Sequence, residues 1–198
     1  MPKQVDHQER RRHIGEAVLR LIATRGLEAA SLRNVAAEAG VSMGAVQHYF
    51  ADKQAMLVFA QQYNYERSTV RIPQLIAEIP EPRTFPAMLR ALLVDLLCLE
   101  GESRDGGRLG AAMLARAVID PQAATTARIA YDGLTAFMTT QLRAAQQAGD
   151  IPVDTDPERA ARYLIAVVEG LRWPTLIGAR TAEQALAVLD DHLDRLFA

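Results

Sequence analysis

The segment SLRNVAAEAGVSMGAVQHYFADK, Ser31–Lys53, leaves this chain few ways to fold. Ser31 is a good helix cap, and Leu32, Val35, Ala36 and Ala39 recur at helical spacing on one face. Gly40 breaks that pattern and can take a positive φ without a Cβ clash. Ser42 caps a further helix whose inward side reads as Met43, Val46 and Phe50. Two short amphipathic helices joined by Ala39-Gly40-Val41-Ser42 make a helix-turn-helix, with Val41 placed to plug the angle between them.

The rest of the chain repeats the helical period. Ile14, Ala17, Val18, Leu21 and Ile22 form one apolar stripe that Gly26 stops. Asp52 caps a fourth helix expected to run to about Arg71, where Pro73 ends it. Thr84 opens a helix over Met88–Leu99, residues 101–107 (GESRDGG) read as a loop, and a helix over Arg108–Ile119 follows. Asp120-Pro121 and Asp156-Pro157 are cap-proline starts of two longer helices, the first running to about Gln147. Thr181 with Gln184 is a capping box for the last one. The expectation is an all-α chain of about nine helices: a helix-turn-helix head, residues 1–53, and a larger helical body, residues 54–198.

The exposed side of the third helix is suited to a DNA groove. Gly44 and Ala45 carry little bulk and allow close approach. Gln47 can bond a base bidentately, by geometry best adenine. His48 and Tyr49 can donate to phosphates, and Lys53 adds charge at a helix start whose dipole is also positive. Each also has an ordinary structural reading: Ser42 only a cap, Tyr49 a core aromatic, Lys53 a solvated cation. His48 is not a metal ligand by spacing, because His7, His13 and His192 do not fall around it.

Charge agrees with a few placed contacts more than with a general polyanion binder. The net charge is −2. The first 53 residues carry two more cations than anions, which leaves −4 on the remainder. An apolar fraction of 49% supports a buried core. Cys98 is the single cysteine, so no internal disulfide forms; its LLVDLLCL setting reads as a buried small hydrophobe in a reducing, cytoplasmic protein. The polar N-terminus MPKQVDHQERRRH shows no apolar h-region, so no secretory signal is expected; no apolar run reaches membrane-spanning length, and no Ser/His/Asp arrangement, zinc spacing or phosphate loop is seen. The reading is no enzyme, no metal and no cofactor.

The residues Gly26, Ser31-Leu32, Val35-Ala36, Ala39-Gly40-Val41-Ser42, Gly44, Tyr49-Phe50 and Lys53 together resemble the TetR family of bacterial transcriptional regulators, over roughly residues 9–60. The tail, VVEGLRW and EQALAVLDDHLDRLF, looks like the BetI-like subgroup. The resemblance implies a ligand-responsive regulator, expected to be a repressor that binds a palindromic operator as a homodimer and is released by a small molecule. It implies DNA contacts from Ser31, Ser42, Met43, Gly44, Ala45, Gln47, His48, Tyr49 and Lys53; with few cations on the recognition helix, phosphate attraction falls to Lys53, Arg33 and the Arg10–Arg12 run, itself read as a solvated or phosphate-flanking helix start and not a localisation signal. Met43 departs from the charged or polar residue often found there, and Gln47 from the usual aromatic. Dimerisation would use the last two helices, about 157–197. Effector-pocket candidates are Phe59, Tyr63, Met88, Leu92, Met113, Tyr131, Phe137, Met138, Tyr163, Glu169 and Trp173, for any of which core packing is the competing role.

Overall fold

The computed structural model describes residues 2–197, with side chains from His7 onward. Among the described residues it is all-α, with nine α-helices and one 3₁₀ turn. The head holds α1 (Pro2–Arg25), a 3₁₀ turn (Leu27–Ala29), α2 (Leu32–Glu38) and α3 (Met43–Tyr49). The body holds α4 (Lys53–Ala77), α5 (Phe85–Leu96), α6 (Gly101–Ala117), α7 (Pro121–Ala148), α8 (Pro157–Leu176) and α9 (Ala182–Phe197).

The caps expected from the sequence form. Ser31 Oγ accepts from the Asn34 amide at 3.2 Å, Ser42 Oγ from Ala45 at 3.1 Å, and Asp52 Oδ1 from Ala55 at 2.7 Å. Gly26 and Gly40 take φ of 81° and 64°. Thr181 and Gln184 make the reciprocal capping box.

Two expectations fail, for one reason. Helix α4 does not end near Arg71; it continues to Ala77 with Pro73 inside it. A proline removes one helical hydrogen bond and crowds the carbonyl four residues earlier. Tertiary contacts on either side hold the helix regardless: Arg71 is clamped to Asp95, and Ile72 packs on the body core. Residues 101–107 are not a loop but the first two turns of α6. Gly106 and Gly107, at the end of that expected loop, are where α6 meets its neighbours. A Cβ on Gly106 would lie 2.4 Å from Asn64 Oδ1, and one on Gly107 would lie 2.7 Å from Cys98 Cβ. Each glycine costs about 1 kcal/mol of helix propensity, which the close packing outweighs. Arg104 donates to the Leu99 carbonyl and Arg67 pairs with Glu102, tying the new start in place.

Buried residues form two clusters. The body core joins Leu92, Leu93, Met138, Leu142, Leu164, Val168 and Leu189 from α5, α7, α8 and α9. The head cluster joins Ile14, Val18, Leu21, Val35, Val46 and Phe50, but also Met56, Leu57 and Ala60 of α4 and Leu109 and Met113 of α6. The head therefore sits on α4 and α6 through shared apolar core. Tyr63 of α4 donates to Glu16 of α1 at 2.8 Å, and Arg108 of α6 to the Ala23 carbonyl at 2.7 Å.

Candidate nucleic-acid interface and effector cavity

Helix α3 buries Val46 and leaves Met43, Gly44, Gln47 and His48 exposed. Met43 is 45% exposed, so it belongs to the outer face and not, as the stripe suggested, to the inward side. Ala45 and Tyr49 are half-buried, and Arg33 is exposed on α2. Ser31 and Ser42 use their oxygens as caps, yet each hydroxyl keeps its own O–H for an outside acceptor. Tyr49 packs on the head core, and its ring meets His48 and His7 edge-on with centroids 5.2 and 5.4 Å away.

Two head residues have roles the sequence did not suggest. His13 Nε2 lies 2.7 Å from the Ala39 carbonyl, so α1 holds the end of α2 at the turn. The Arg11 guanidinium lies over Phe59 at 4.5 Å, which draws that cation into packing α1 against α4. Lys53 Nζ lies 3.5 Å from Glu28 Oε2, so a carboxylate already competes for the charge expected at a phosphate.

In the body a cavity of about 230 Å³ opens between α4, α6, α7 and α8. Val58 is flanked there by Gln54 and Gln61; α6 gives Gly110, Met113 and Leu114. Helix α7 gives Thr126, Tyr131, Leu134 and three alanines, and α8 gives Glu169, Arg172 and Trp173. Of the candidates, Met113, Tyr131, Glu169 and Trp173 meet here. The others lie elsewhere. Phe59 and Tyr63 stack on each other, centroids 6.3 Å apart, under Gly15 of the head. Leu92 and Met138 are body core, and Met88 is half-buried on α5. Phe137 and Tyr163 face outward, 49% and 61% exposed. The residues missed, Gln54, Val58 and Gln61, have an i, i+4, i+7 spacing that marks one face of α4, but polar glutamines do not announce a pocket. A wider groove of about 480 Å³ between α1 and α4 is lined by Phe59 together with polar and charged groups such as Arg11, Arg12 and Glu66, and shares Val58 with the cavity.

The cavity's polar groups are arranged as a chain. Glu169 and Arg172 form an ion pair, with side chains 20% and 16% exposed. Arg172 also donates to the Leu96 carbonyl at 3.3 Å, and its guanidinium lies over Trp173 at 4.1 Å. Burial, and then the Glu169 charge, push the Tyr131 phenol up, so it stays protonated. Burial likewise pushes the Cys98 thiol up, which agrees with an inert packed cysteine.

Similarity to known proteins follows the same division. Residues 14–58 match the family model for bacterial regulatory proteins of the tetR family, and residues 86–198 match that for the C-terminal region of BetI-type transcriptional repressors. The HTH-type transcriptional regulator PksA of Bacillus subtilis is 43% identical over 91 residues, which span 45% of this chain and 44% of that protein. A crystal structure of a TetR-family regulator from Rhodococcus sp. superposes with a TM-score of 0.82 at 24% identity, covering 96% of this chain and all of the other. A transcriptional regulator from Saccharomonospora viridis, solved in complex with choline, superposes with a TM-score of 0.77 at 25% identity, covering 94% and 96% of the two chains. Among the described residues no helix is long and apolar enough to cross a membrane. The α3 face, the turn that sets it and the body packed beneath it are those of a DNA-binding regulator and not an enzyme: the chain belongs to the TetR family of transcriptional regulators, with a BetI-type C-terminal region.

Proposed function

We propose that this chain is a ligand-responsive repressor that binds a palindromic operator as a homodimer and leaves it when a small molecule enters the body cavity. Residues 1–53 are the reader. Gln47, with Ala45 and His48 beside it, chooses bases, and Met43 and Gly44 lie against the groove. Ser31, Arg33, Ser42, Tyr49 and Lys53 hold phosphates. Residues 54–198 are the sensor and the dimer contact, and the protein works in the cytoplasm, where the operator is.

The observation that carries this reading is that the cavity and the head share structural members. Met113 lines the cavity and also belongs to the head's hydrophobic cluster. Helix α4 begins with Lys53 and lines the cavity with its next residue, Gln54. A ligand that moves either wall moves the head. One head reads one half-site, and two must sit one helical turn, about 34–36 Å, or a multiple of it apart. Ligand need only favour the spacing that does not fit, by binding that state better. Dimerisation through α8 and α9 is supported by their outward faces. Tyr163, Ala166 and Gly170 lie exposed along α8, and Val188 is 47% exposed on α9, a surface that admits close helix contact.

The test selects bound sequences from a random duplex pool and titrates them with the purified protein. The selected site should be palindromic. Gln47→Ala should relax one base position, and Lys53→Ala should weaken all sites and make the salt slope shallower by about 1. A site without two-fold symmetry, or a Tyr163→Glu variant that stays dimeric and binds unchanged, overturns the reading.

A further inference from the structure

The charge inside the cavity determines what kind of molecule it takes. Among the described residues Glu169 and Arg172 are the charged ones that line it, and they neutralise each other. Two aromatic rings line the cavity, Trp173 and Tyr131, and the Arg172 guanidinium lies over Trp173, the larger of them. A quaternary ammonium ion at Trp173 would have to displace that guanidinium or sit beside it, two positive charges at a few ångströms. An anion would meet Glu169 in the same way. Either ion would give up hydration to a lining with no net charge to compensate it.

Two polar atoms of lining residues remain without a partner. Gln54 Oε1 and Arg172 Nε are both buried, and neither makes a hydrogen bond within the protein. One is an acceptor and the other a donor. Both atoms carry almost no accessible surface, so an occupant pairs with them when the Gln54 and Arg172 side chains turn toward the cavity, and one that supplies the complementary donor and acceptor then recovers what the empty protein forgoes. Small apolar walls, Val58, Met113, Leu114 and Leu134, surround them. The volume, about 230 Å³, lies below the usual 300–1,000 Å³ of drug-sized pockets, so the occupant is small.

We propose that the effector is a small uncharged molecule with an apolar body, an N–H or O–H that donates to Gln54 and a carbonyl-type oxygen that accepts from Arg172, and that the Arg172 guanidinium excludes quaternary ammonium ligands. This rests on the reading of the cavity as the effector site. It separates the present chain from the regulator solved with choline, although the two share a fold.

Three probes of similar size, each with a trimethyl head, and of three charges test it: choline, 3,3-dimethylbutanamide and 3,3-dimethylbutanoate, titrated calorimetrically into the full chain without DNA. The amide should bind at least about tenfold more tightly than either ion, because only the ions lose hydration without a compensating charge. Gln54→Ala should weaken the amide and leave the order of the ions unchanged. Arg172→Met bares Trp173 and Glu169 and should move the preference to choline; Glu169→Gln, a milder change, should move it to the carboxylate. Choline binding most tightly to the unaltered protein overturns the proposal, as do equal affinities for the three charges or no binding of any probe at millimolar concentration. Operator binding is measured separately without ligand, so loss of the ligand class leaves the DNA-reading proposal standing, and loss of operator binding does not alter the charge ranking.

Discussion

Asp95 is the buried carboxylate whose removal should cost this fold most. Its side chain is 5% exposed and accepts two hydrogen bonds from Arg71, at 2.7 Å from Nε and 3.0 Å from Nη2. The pair joins the late part of α4, beyond the head contacts, to α5. The carboxylate holds the Arg71 guanidinium firmly charged, with its pKa raised above the ordinary arginine value. Asp95→Ala leaves that cation 21% exposed, with one Ser68 hydrogen bond and an Nη1 that already lacks a partner. Breaking a buried pair from one side costs about 3–5 kcal/mol. The partial exposure of Arg71 and its bond to Ser68 put this case at the lower end, about 3 kcal/mol. At roughly 2–4 °C per kcal/mol for a chain of this size, the melting temperature should fall by about 6–12 °C. Asp95→Asn keeps the shape and one acceptor and should cost about 1–2 kcal/mol. Replacing both partners, Arg71→Met with Asp95→Leu, should recover most of the loss, because no charge is left buried alone. Urea unfolding followed by circular dichroism and by Trp173 fluorescence, at one fixed protein concentration, gives each value and checks that the two probes coincide. A loss under about 0.5 kcal/mol for Asp95→Ala, the range of exposed ion pairs, would refute the reasoning. So would a double variant less stable than either single one.

Glu28→Gln removes the carboxylate that competes for Lys53, so operator affinity should rise a few-fold at low salt and the gain should vanish at high salt; unchanged affinity in a gel-shift titration would remove Lys53 from the phosphate contacts. Gly107→Ala should destabilise by about 1–3 kcal/mol less the roughly 1 kcal/mol it gains in helix propensity, because its Cβ meets Cys98 Cβ at 2.7 Å. Adding Cys98→Gly, at a residue whose φ is 57°, should restore the melting temperature, and a stabilising Gly107→Ala would show that the α6 contact is loose. Arg116, then the Ala123 amide, hold the Asp120 carboxyl below its ordinary range. The stability this supplies is complete above the unfolded pKa and lost as pH falls through the lower folded one. Asp120→Asn should therefore flatten the acid side of a melting-temperature profile, and an unchanged slope would count against it.

Local signals along the chain determined a great deal by themselves. The period of Ile14–Ile22 and Leu32–Ala39, the caps at Ser31, Ser42 and Asp52, and Gly26 and Gly40 at their positive φ act within a turn or two, so they can be read without a partner. They fix an all-α chain, the helix-turn-helix and the outward face of α3 around Gln47. Tertiary structure decided the rest. Pro73 and the glycines of residues 101–107 carry local penalties of one to a few kcal/mol, and only contacts from distant helices override them. The cavity was decided there too. Tyr63 and Met138 are as suitable by type as Tyr131 and Trp173, yet they pack on the two cores and not around the cavity. Whether an apolar side chain faces protein or a vacant space depends on how helices cross, and crossing is set by residues far apart in the chain. Gln54 and Arg172 acquire meaning only there, because an unpartnered polar atom is defined by its surroundings and not by its residue type.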